Sequence, residues 1–490
     1  MFVLLATLFI VSYILYFYWK VSQYPKGPTP LPFIGNLHQF PKANFHIFID
    51  ELSRKYGPCF TIWMPRPIVV LADYDHIKDA FITQPDKFIY RVQTPPETLL
   101  QPKTNVGVLM AHGDVWRVQR RTSLKILRDF GMGRQIMEEQ IMRSVHEMIK
   151  HVDSIPDKSA ADLFWPIQLC VGNVINESLF GYHYSHNNIE KFKQFVTIVD
   201  THLRLVSSNK SVLMLSTFPW MKHLPIMSGF YNKIKNNITS YQSFIEEEVD
   251  KEAKKYDPEN EPENFVQAYL HLAEYNKEEL DMTNLYANVL DFWLAGMETT
   301  SNSLRWHILY MMKFPEIQDK VREEIHSVVG TSGYPSMTDK PNLPYTQAVI
   351  HEVQRHSNMI PFLGSHVCQE KTFVKGKHFP SGTWVFAQIW SVMRNDPIFE
   401  NPTDFQPNRY LLEDGKTFNR EILERTIPFS VGKRSCVGEG LARMELFLIF
   451  ATLIQKYKFE AIDEIDLNPN CGAVLTSKPY KCKLTVLDRS

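Results

Sequence analysis

The sequence predicts a mainly α-helical protein with a small β portion, preceded by one N-terminal transmembrane helix. Three observations point to this class. Met1 to Trp19 is a nearly unbroken apolar run, and most of the chain after it repeats apolar residues at helical spacing. Alternating segments are confined to Cys59 to Leu71, Thr372 to Phe386 and the C-terminus. With 490 residues, 44% hydrophobic and 22% charged, the chain can bury a large core and is too apolar to be disordered. Lys and Arg total 53 against 54 Asp and Glu, a formal net charge of -1, so no basic excess suggests nucleic acid as a partner. An electrostatic partner must instead meet a local patch.

Within Met1 to Trp19 the only polar members are Thr7, Ser12 and the tyrosines. As a helix this run spans about 28 Å, close to the roughly 30 Å of a bilayer's hydrocarbon core. No basic residue precedes it and no small-residue cleavage site ends it, which favours an uncleaved anchor over a removed signal peptide. Lys20 and Lys26 follow, and by the positive-inside rule they hold the downstream chain in the cytoplasm. The six cysteines (Cys59, Cys170, Cys368, Cys436, Cys471, Cys482) are scattered without any C-x-x-C, as expected in a reducing compartment. Residues 1–20 are read as the anchor and 21–36, with Pro25, Pro28, Pro30 and Pro32, as a proline-rich hinge. That hinge is either a stiff spacer or an ordinary linker. Residues 37–490 read as one catalytic unit. Asn176, Asn209 and Asn237 head glycosylation tripeptides but are expected to stay unmodified on the cytoplasmic side.

The clearest helix runs from about Thr283 to Lys313, about 46 Å if continuous. Its centre, Ala295-Gly296-Met297-Glu298-Thr299-Thr300, combines residues of low helix propensity with an acid in an apolar stretch. Two readings stay open. Either the helix ends at Gly296 and Thr299 or Thr300 caps a second one, or it opens locally and a buried Glu298 beside a hydroxyl relays protons.

Phe429 to Arg443 is the most informative stretch. Gly432, Gly438 and Gly440 flank Cys436, and an apolar helix begins directly afterwards. A thiolate needs amide donors, positive charge or a metal; a glycine-rich loop entering a helix supplies donors and Arg434 supplies charge. The alternative is a buried structural cysteine.

This loop resembles the cytochrome P-450 family of haem-thiolate monooxygenases, matching F-x-x-G-x-R-x-C-x-G at every fixed position. Chance would produce such a match on the order of 10⁻⁴ times in a chain of this length. The resemblance implies the cytochrome P-450 fold and a haem (iron protoporphyrin) cofactor, with Cys436 as the axial metal ligand, Phe429 packing near the sulfur and Arg434 meeting a propionate. A thiolate ligand favours O–O cleavage. Ala295 to Thr300 resembles the family's central-helix motif, which assigns Glu298 and Thr299 to proton delivery over the iron. His351-Glu352-Val353-Gln354-Arg355 contains the family's E-x-x-R. Glu51-Leu52-Ser53-Arg54 matches that pattern too, but only the later copy lies between the central helix and the Cys loop. Phe405-Gln406-Pro407-Asn408-Arg409-Tyr410 resembles the next motif, whose Arg409 would pair with Glu352 and Arg355; Asn408 and Tyr410 depart from the commoner acid and Phe. Trp116-Arg117-Val118-Gln119-Arg120 resembles the helix whose Trp116 and Arg120 bind a propionate. His366, five residues after Pro361, and Arg91 are implied as further propionate ligands.

Helical spacing places Trp116, Arg120, Leu124 and Leu127 on one face, and Arg117, Arg121, Lys125 and Arg128 on the other. The second face is either a solvated stripe or, with Lys433, a dock for an acidic electron donor. By resemblance the protein is a monooxygenase of the animal microsomal branch. It would insert one oxygen atom from O₂ into a lipophilic small organic substrate (xenobiotic, fatty acid or steroid-like) at the endoplasmic reticulum membrane, catalytic unit facing the cytoplasm. Electrons would come from NADPH through a flavoprotein reductase, with cytochrome b5 as a second partner. Isomerase or peroxygenase chemistry, or a non-catalytic haem module, are the alternatives, and the Glu298-Thr299 pair argues against the last. A zinc site built on His351, Glu352 and His356 fails because a metal helix needs His at i and i+4, and position 355 is Arg. The segments expected to line the pocket are 94–111, 203–225, Phe292, Ala295, 360–363 and Leu475-Thr476, with 213–225 apolar enough to touch a bilayer.

Overall fold

Helix makes up 59% and strand 9% of the protein, the mainly α class that the periodicity predicts. The computed structural model describes the chain apart from residues 42, 65, 95–96, 131, 133–134, 186–188, 207–209, 473 and 488–490. Asn209 therefore lies outside the described residues, as does the side chain of Leu213.

The central helix, Met282–Lys313, begins where the Asp281 side chain accepts from the Asn284 amide and stops before Pro315. Trp293, Met297 and Leu304 are buried on one side of it and Trp306 on the other, and a helix apolar around most of its girth belongs in the middle of a core. Several helices pack on it, among them Phe164–Phe180, Glu439–Lys456, Pro225–Ala253 and Pro344–Ser357. It is α-helical without interruption through residues 295–300, so it neither ends nor opens at Gly296. The glycine serves a packing purpose instead. A Cβ at Gly296 would lie 2.5 Å from Cδ1 of Ile175 on the Phe164–Phe180 helix; burial at this close crossing outweighs the roughly 1 kcal/mol that Gly costs a helix interior.

The main sheet has five strands in the order Cys59–Met64, Arg66–Leu71, Trp384–Ala387, His366–Val367, Tyr90–Arg91. Its first pair is an antiparallel hairpin whose inner residues are buried, and Val69 pairs in parallel with Val385. At the far edge Arg91 stands directly opposite His366. The alternating segment 372–386 contains the hairpin Thr372–Val374 with Lys377–Phe379, followed by Trp384–Ala387. The C-terminal strand Cys482–Val486 pairs with Tyr457–Ala461.

Phe2–Ser22 is a single helix, long and apolar enough to cross a membrane, with Phe17 its only buried residue. The proline-rich segment after it is docked on the first strand and does not extend as a free spacer. Asn36 is fully buried; its Oδ1 accepts the Trp63 amide (2.8 Å) and its Nδ2 donates to the carbonyls of Pro28 and Thr29 (both 3.2 Å). An edge strand offers backbone groups that need partners, and the hinge supplies them. A Cβ at Gly27 would sit 2.0 Å from the Thr61 oxygen, and one at Gly35 2.1 Å from the Trp63 oxygen.

Candidate functional site

The Cys loop is shaped by glycine at one obligatory place. Gly432 has φ +75°, and a Cβ there would fall 2.0 Å from the Phe81 carbonyl oxygen, so a side chain could not be accommodated. A short turn, Gly432–Arg434, follows, and the Cys436 amide closes the loop by donating to the Phe429 oxygen at 2.9 Å. The Phe429 ring is packed against the core with the Arg443 guanidinium over it at 4.8 Å. Of the six cysteines, Cys59, Cys170, Cys368 and Cys482 are buried, Cys471 is intermediate, and Cys436 is exposed. A structural core cysteine is therefore the wrong description of Cys436. Although the residue keeps open surface, the loop around it partly desolvates the thiol and pushes its pKa up; the Gly438 amide and the charges of Arg120 and Arg443 pull the other way, and Glu439 adds to the rise.

Beside the loop, strand register and helical spacing bring together Arg434, Arg120, Arg91, Trp116 and His366. Arg434 donates to the carbonyls of Ile89 (2.8 Å), Val108 (3.3 Å) and Ala111 (2.5 Å), and lies over the Trp116 ring at 4.1 Å. Arg120 reaches Ser435 Oγ at 3.4 Å, and Arg91 the Gly364 oxygen at 2.6 Å. His366 is buried with Nδ1 on the Phe88 oxygen and its ring stacked on Phe81. Burial and then the neighbouring Arg91 and Arg120 push Arg434 down to about 8; burial and Arg120 push Arg91 down to about 10. Burial, then Arg91, also lowers His366 well below the usual range, so its imidazole is neutral.

Among the described residues none of these three guanidinia has a carboxylate partner within ion-pair distance. Trp116 Nε1 and His112 Nδ1 are buried and have no hydrogen-bond partner. Unpaired buried cations and orphaned donors are costly, and a doubly anionic group would relieve both. Haem carries two propionates, and a cysteine thiolate is one of the protein ligands its iron accepts. The residues present fit it: Cys436 for the metal, and Arg434, Arg120, Trp116, Arg91 and His366 for the carboxylates. His112, the N-cap residue of the Trp116 helix (Gly113–Asp129), joins them and was missed in the sequence, where nothing distinguishes it from any histidine before a glycine.

Glu298 and Thr299 lie on the central helix, but their side chains diverge, as adjacent helical residues must. Thr299 Oγ1 donates to the Ala295 oxygen at 2.6 Å. The Glu298 carboxyl instead accepts from Gln168 Nε2 at 3.0 Å; burial raises its pKa, and the charge of Arg305 opposes the rise. No hydrogen bond joins the two side chains among the described residues. Ala295 keeps exposed surface midway along this otherwise enclosed helix.

The E-x-x-R pair forms as its spacing requires. Fully buried Arg355 meets Glu352 through Nε (2.7 Å) and Nη2 (2.9 Å), and Arg409 Nε adds a third contact at 3.2 Å. The two departures from the family pattern are accommodated. Tyr410 places its hydroxyl 3.0 Å from Thr426 Oγ1, and Asn408 accepts from Lys320 at 3.4 Å. His356, part of the rejected zinc reading, is held by Tyr310 and the Thr403 oxygen, and among the described residues no cluster of three or more His, Cys, Asp or Glu could hold a metal ion. Fully buried Asn176 donates to the Tyr182 oxygen, so it cannot carry a glycan in this fold.

All four members of the cationic stripe are exposed. Arg117 is paired with Asp114 (2.7 Å) and Asp86 (3.5 Å), and Lys433 with Asp86 (2.7 Å). Arg121, Lys125 and Arg128 have no ion pair among the described residues. A separate surface cleft of about 1010 Å³, lined in part by Arg54, Tyr74, Arg394 and Arg425, contains none of the residues of the Cys loop.

The family model described as "Cytochrome P450" matches residues 25–484. Among curated proteins, the chain is 35% identical to cytochrome P450 2G1 of Oryctolagus cuniculus over 472 residues, which is 92% of this chain and 90% of that one. It is 35% identical to cytochrome P450 2C23 of Rattus norvegicus (94% and 93% covered) and 33% identical to cytochrome P450 2U1 of Homo sapiens (94% and 89% covered).

Proposed function

The chain belongs to the cytochrome P-450 family of haem-dependent monooxygenases, and from that premise we propose that it oxygenates lipophilic small organic molecules at the endoplasmic reticulum membrane. The electrons come from NADPH through a flavoprotein reductase. The observation that carries this reading is the single exposed cysteine at a glycine-shaped loop, set beside the buried Arg434 and the half-buried Arg120 and Arg91, none of which has an ion-pair partner among the described residues. When bound, haem with a thiolate ligand supplies the oxidising chemistry and favours O–O cleavage. The protein's own residues do the rest. Cys436 ligates; Arg434, Arg120, Trp116, Arg91 and His366 neutralise and orient the propionates; Phe429 shields the sulfur. Phe2–Ser22 anchors the catalytic unit, and the exposed face from Arg117 to Arg128 meets the acidic donor.

Thr299 is assigned to hold and pass a proton, and Glu298, a buried acid turned toward Gln168, to deliver protons without direct contact with it. Because the Thr299 hydroxyl bonds back along its own helix and caps nothing, Thr299→Ala should change stability by less than about 1 kcal/mol. It should nevertheless uncouple the enzyme, leaving NADPH consumption intact while product per NADPH falls and peroxide rises. Purified protein would be screened with fatty acids and aromatic xenobiotics, and coupling measured on whichever is turned over. Unchanged coupling in the variant would remove Thr299 from the proton path.

Reversing two charges among Arg121, Lys125 and Arg128 should lower reductase-supported turnover several-fold and flatten its dependence on ionic strength, with substrate affinity unchanged, since exposed patches act mainly on encounter. If both the rate and its salt profile stay as in the parent protein, the stripe is only solvated.

A further inference from the structure

Three polar side chains meet inside the core, one from each of three helices: Gln119 from Gly113–Asp129, Tyr269 from Phe265–Ala273 and Asn288 from Met282–Lys313. All three are buried. Gln119 Oε1 accepts both from the Tyr269 hydroxyl (3.0 Å) and from Asn288 Nδ2 (2.8 Å), while its Nε2 donates to the Glu279 carbonyl at 2.7 Å. One amide therefore joins three helices and the loop before the central one. Asn288 Oδ1 is buried without a hydrogen-bond partner, a cost that an apolar core does not return. The Asn288 side chain is held for its other end, the one that reaches Gln119.

On its own helix Gln119 flanks the face of Trp116 and Arg120 and points away from the exposed Arg117, Arg121 and Arg128, about 160–180° round the axis. Val118, Ile126 and Leu127 are buried there as well, but apolar contact is non-directional and does not fix a rotation. No other side chain of this helix bonds to more than one neighbouring element among the described residues: Arg120 reaches Ser435 and Arg117 reaches Asp86. The partners of Gln119 are themselves fixed. Asn264 caps the Phe265–Ala273 helix, its Oδ1 accepting the Gln267 amide and its Nδ2 donating to Glu252 Oε2 (both 3.1 Å), and Phe265 sits edge-on to Phe292 of the central helix at 5.2 Å. Rotation matters because Trp116 and Arg120 act at the rim. A helix is about 10–12 Å across, so turning it by about 10° moves a side-chain tip by about 1 Å, and a hydrogen bond to a carboxylate does not survive that shift.

We infer that Gln119 is a positioning residue: it locks the rotation of the Gly113–Asp129 helix against the central helix, and through Trp116 and Arg120 it sets the reduction potential of the haem. The inference rests on the haem-thiolate reading. Gln119 spends its three bonds within the protein and acts only through its helical neighbours. A cation and a donor held at the propionates favour the reduced, more negative haem. A helix free to turn should therefore make reduction harder. The exposed face assigned to the electron donor lies on the opposite side of the same helix, so this cluster also backs the surface on which the donor docks.

The test uses full-length, substrate-free holoprotein, with the haem midpoint potential read by spectroelectrochemical titration alongside urea unfolding. Gln119→Met keeps the length of the side chain and removes all three bonds. The equilibrium constant for haem reduction should fall about tenfold, which for one electron is a midpoint about 59 mV lower. The urea midpoint should fall too, because Tyr269 and Asn288 are left unpaired. A triple variant carrying Gln119→Met, Tyr269→Phe and Asn288→Ala separates position from satisfaction. It leaves no polar side chain of the cluster unpaired, and the Glu279 carbonyl belongs to an exposed residue. Its urea midpoint should return toward the parent value while its reduction equilibrium stays about tenfold weaker. Both variants should keep the thiolate-ligated Soret band, since the Cys loop is untouched. A triple variant with the parent potential would show that the cluster only satisfies its own polar atoms and would overturn the assignment. So would a Gln119→Met protein with a lowered urea midpoint and an unchanged potential. Should Gln119→Met fail to fold, the triple variant decides alone. A parent protein without the thiolate band would instead refute the haem reading, and this inference with it.

Discussion

Cys436→Ala is expected to abolish the red-shifted Soret band of the reduced, carbon-monoxide-bound protein while leaving the fold intact. The loop that presents the sulfur is closed by the Cys436 amide on the Phe429 oxygen, a bond that Ala retains. The side chain is exposed, so removing its sulfur leaves no core cavity and should cost less than about 1 kcal/mol. No other thiol stands in: four of the remaining cysteines are buried, and the fifth, Cys471, bonds Asn44 at 2.8 Å. The variant should melt near the parent temperature, bind haem more weakly through the arginine cluster alone, and yield no thiolate signature at any haem loading. A folded Cys436→Ala protein that kept the band would sink the ligand assignment.

Glu352→Gln should give the largest loss of stability of any single substitution considered. Glu352 is completely buried and neutralises two guanidinia, Arg355 on its own helix and Arg409 from the following motif. Gln keeps the shape and removes the charge, leaving both cations without a counter-ion in a desolvated place. Breaking one partner of such a group costs about 3–5 kcal/mol, roughly a fifth or more of a typical domain's 5–15 kcal/mol. The damage should also travel. Arg355 binds the carbonyls of Met393 (2.8 Å), in the short helix Ile389–Asn395, and of Pro402 (3.0 Å), and Arg409 binds that of Glu400 (2.7 Å); the last two lie on the irregular chain that follows this helix toward the Cys loop. Urea unfolding and the ratio of haem to protein would both be measured, and both should fall. The other E-x-x-R provides the control: Arg54 is paired with Asp50, and Glu51 is exposed, so Glu51→Gln should shift stability by less than about 0.5 kcal/mol. Equal midpoints for the two variants would show that the buried triad has no such role.

The contrast between these two copies shows what local sequence can and cannot express. Spacing puts Glu and Arg one helical turn apart in both, but only tertiary burial turns one of them into an ion triad. The Cys loop was legible because its geometry demands particular residues: only glycine fits at 432, against the Phe81 carbonyl. The central helix was legible in extent, predicted from Thr283 and observed from Met282, because Asp281 caps it and Pro315 ends it. Its centre was misread, since Gly296 answers to Ile175, a neighbour no local pattern contains. Glu298 and Thr299 were read as a contiguous pair because they adjoin in sequence, whereas the helix turns them to different partners. Asp291 stood in plain view as an acid among Val289, Leu290, Phe292 and Trp293. Its partners, Gln101 and the amides of Val108 and Leu109, are more than 180 positions away, where no local pattern could name them.

The docked hinge changes how the anchor can be used. Gly27 and Gly35 leave no space against the strand, and Asn36 is bonded on both sides of its amide. A joint of this kind resists twisting. With Phe2–Ser22 in a bilayer, the catalytic unit would not tumble on a string; the lipid sheet would become its reference plane, with one tilt and one height. Encounter with a donor held in the same sheet would then be a search over lateral position and a single in-plane angle. Replacing the segment between the anchor and the strand by a supple Gly-Ser tether would leave every site residue in place and restore the lost rotations, diluting productive collisions among many idle ones.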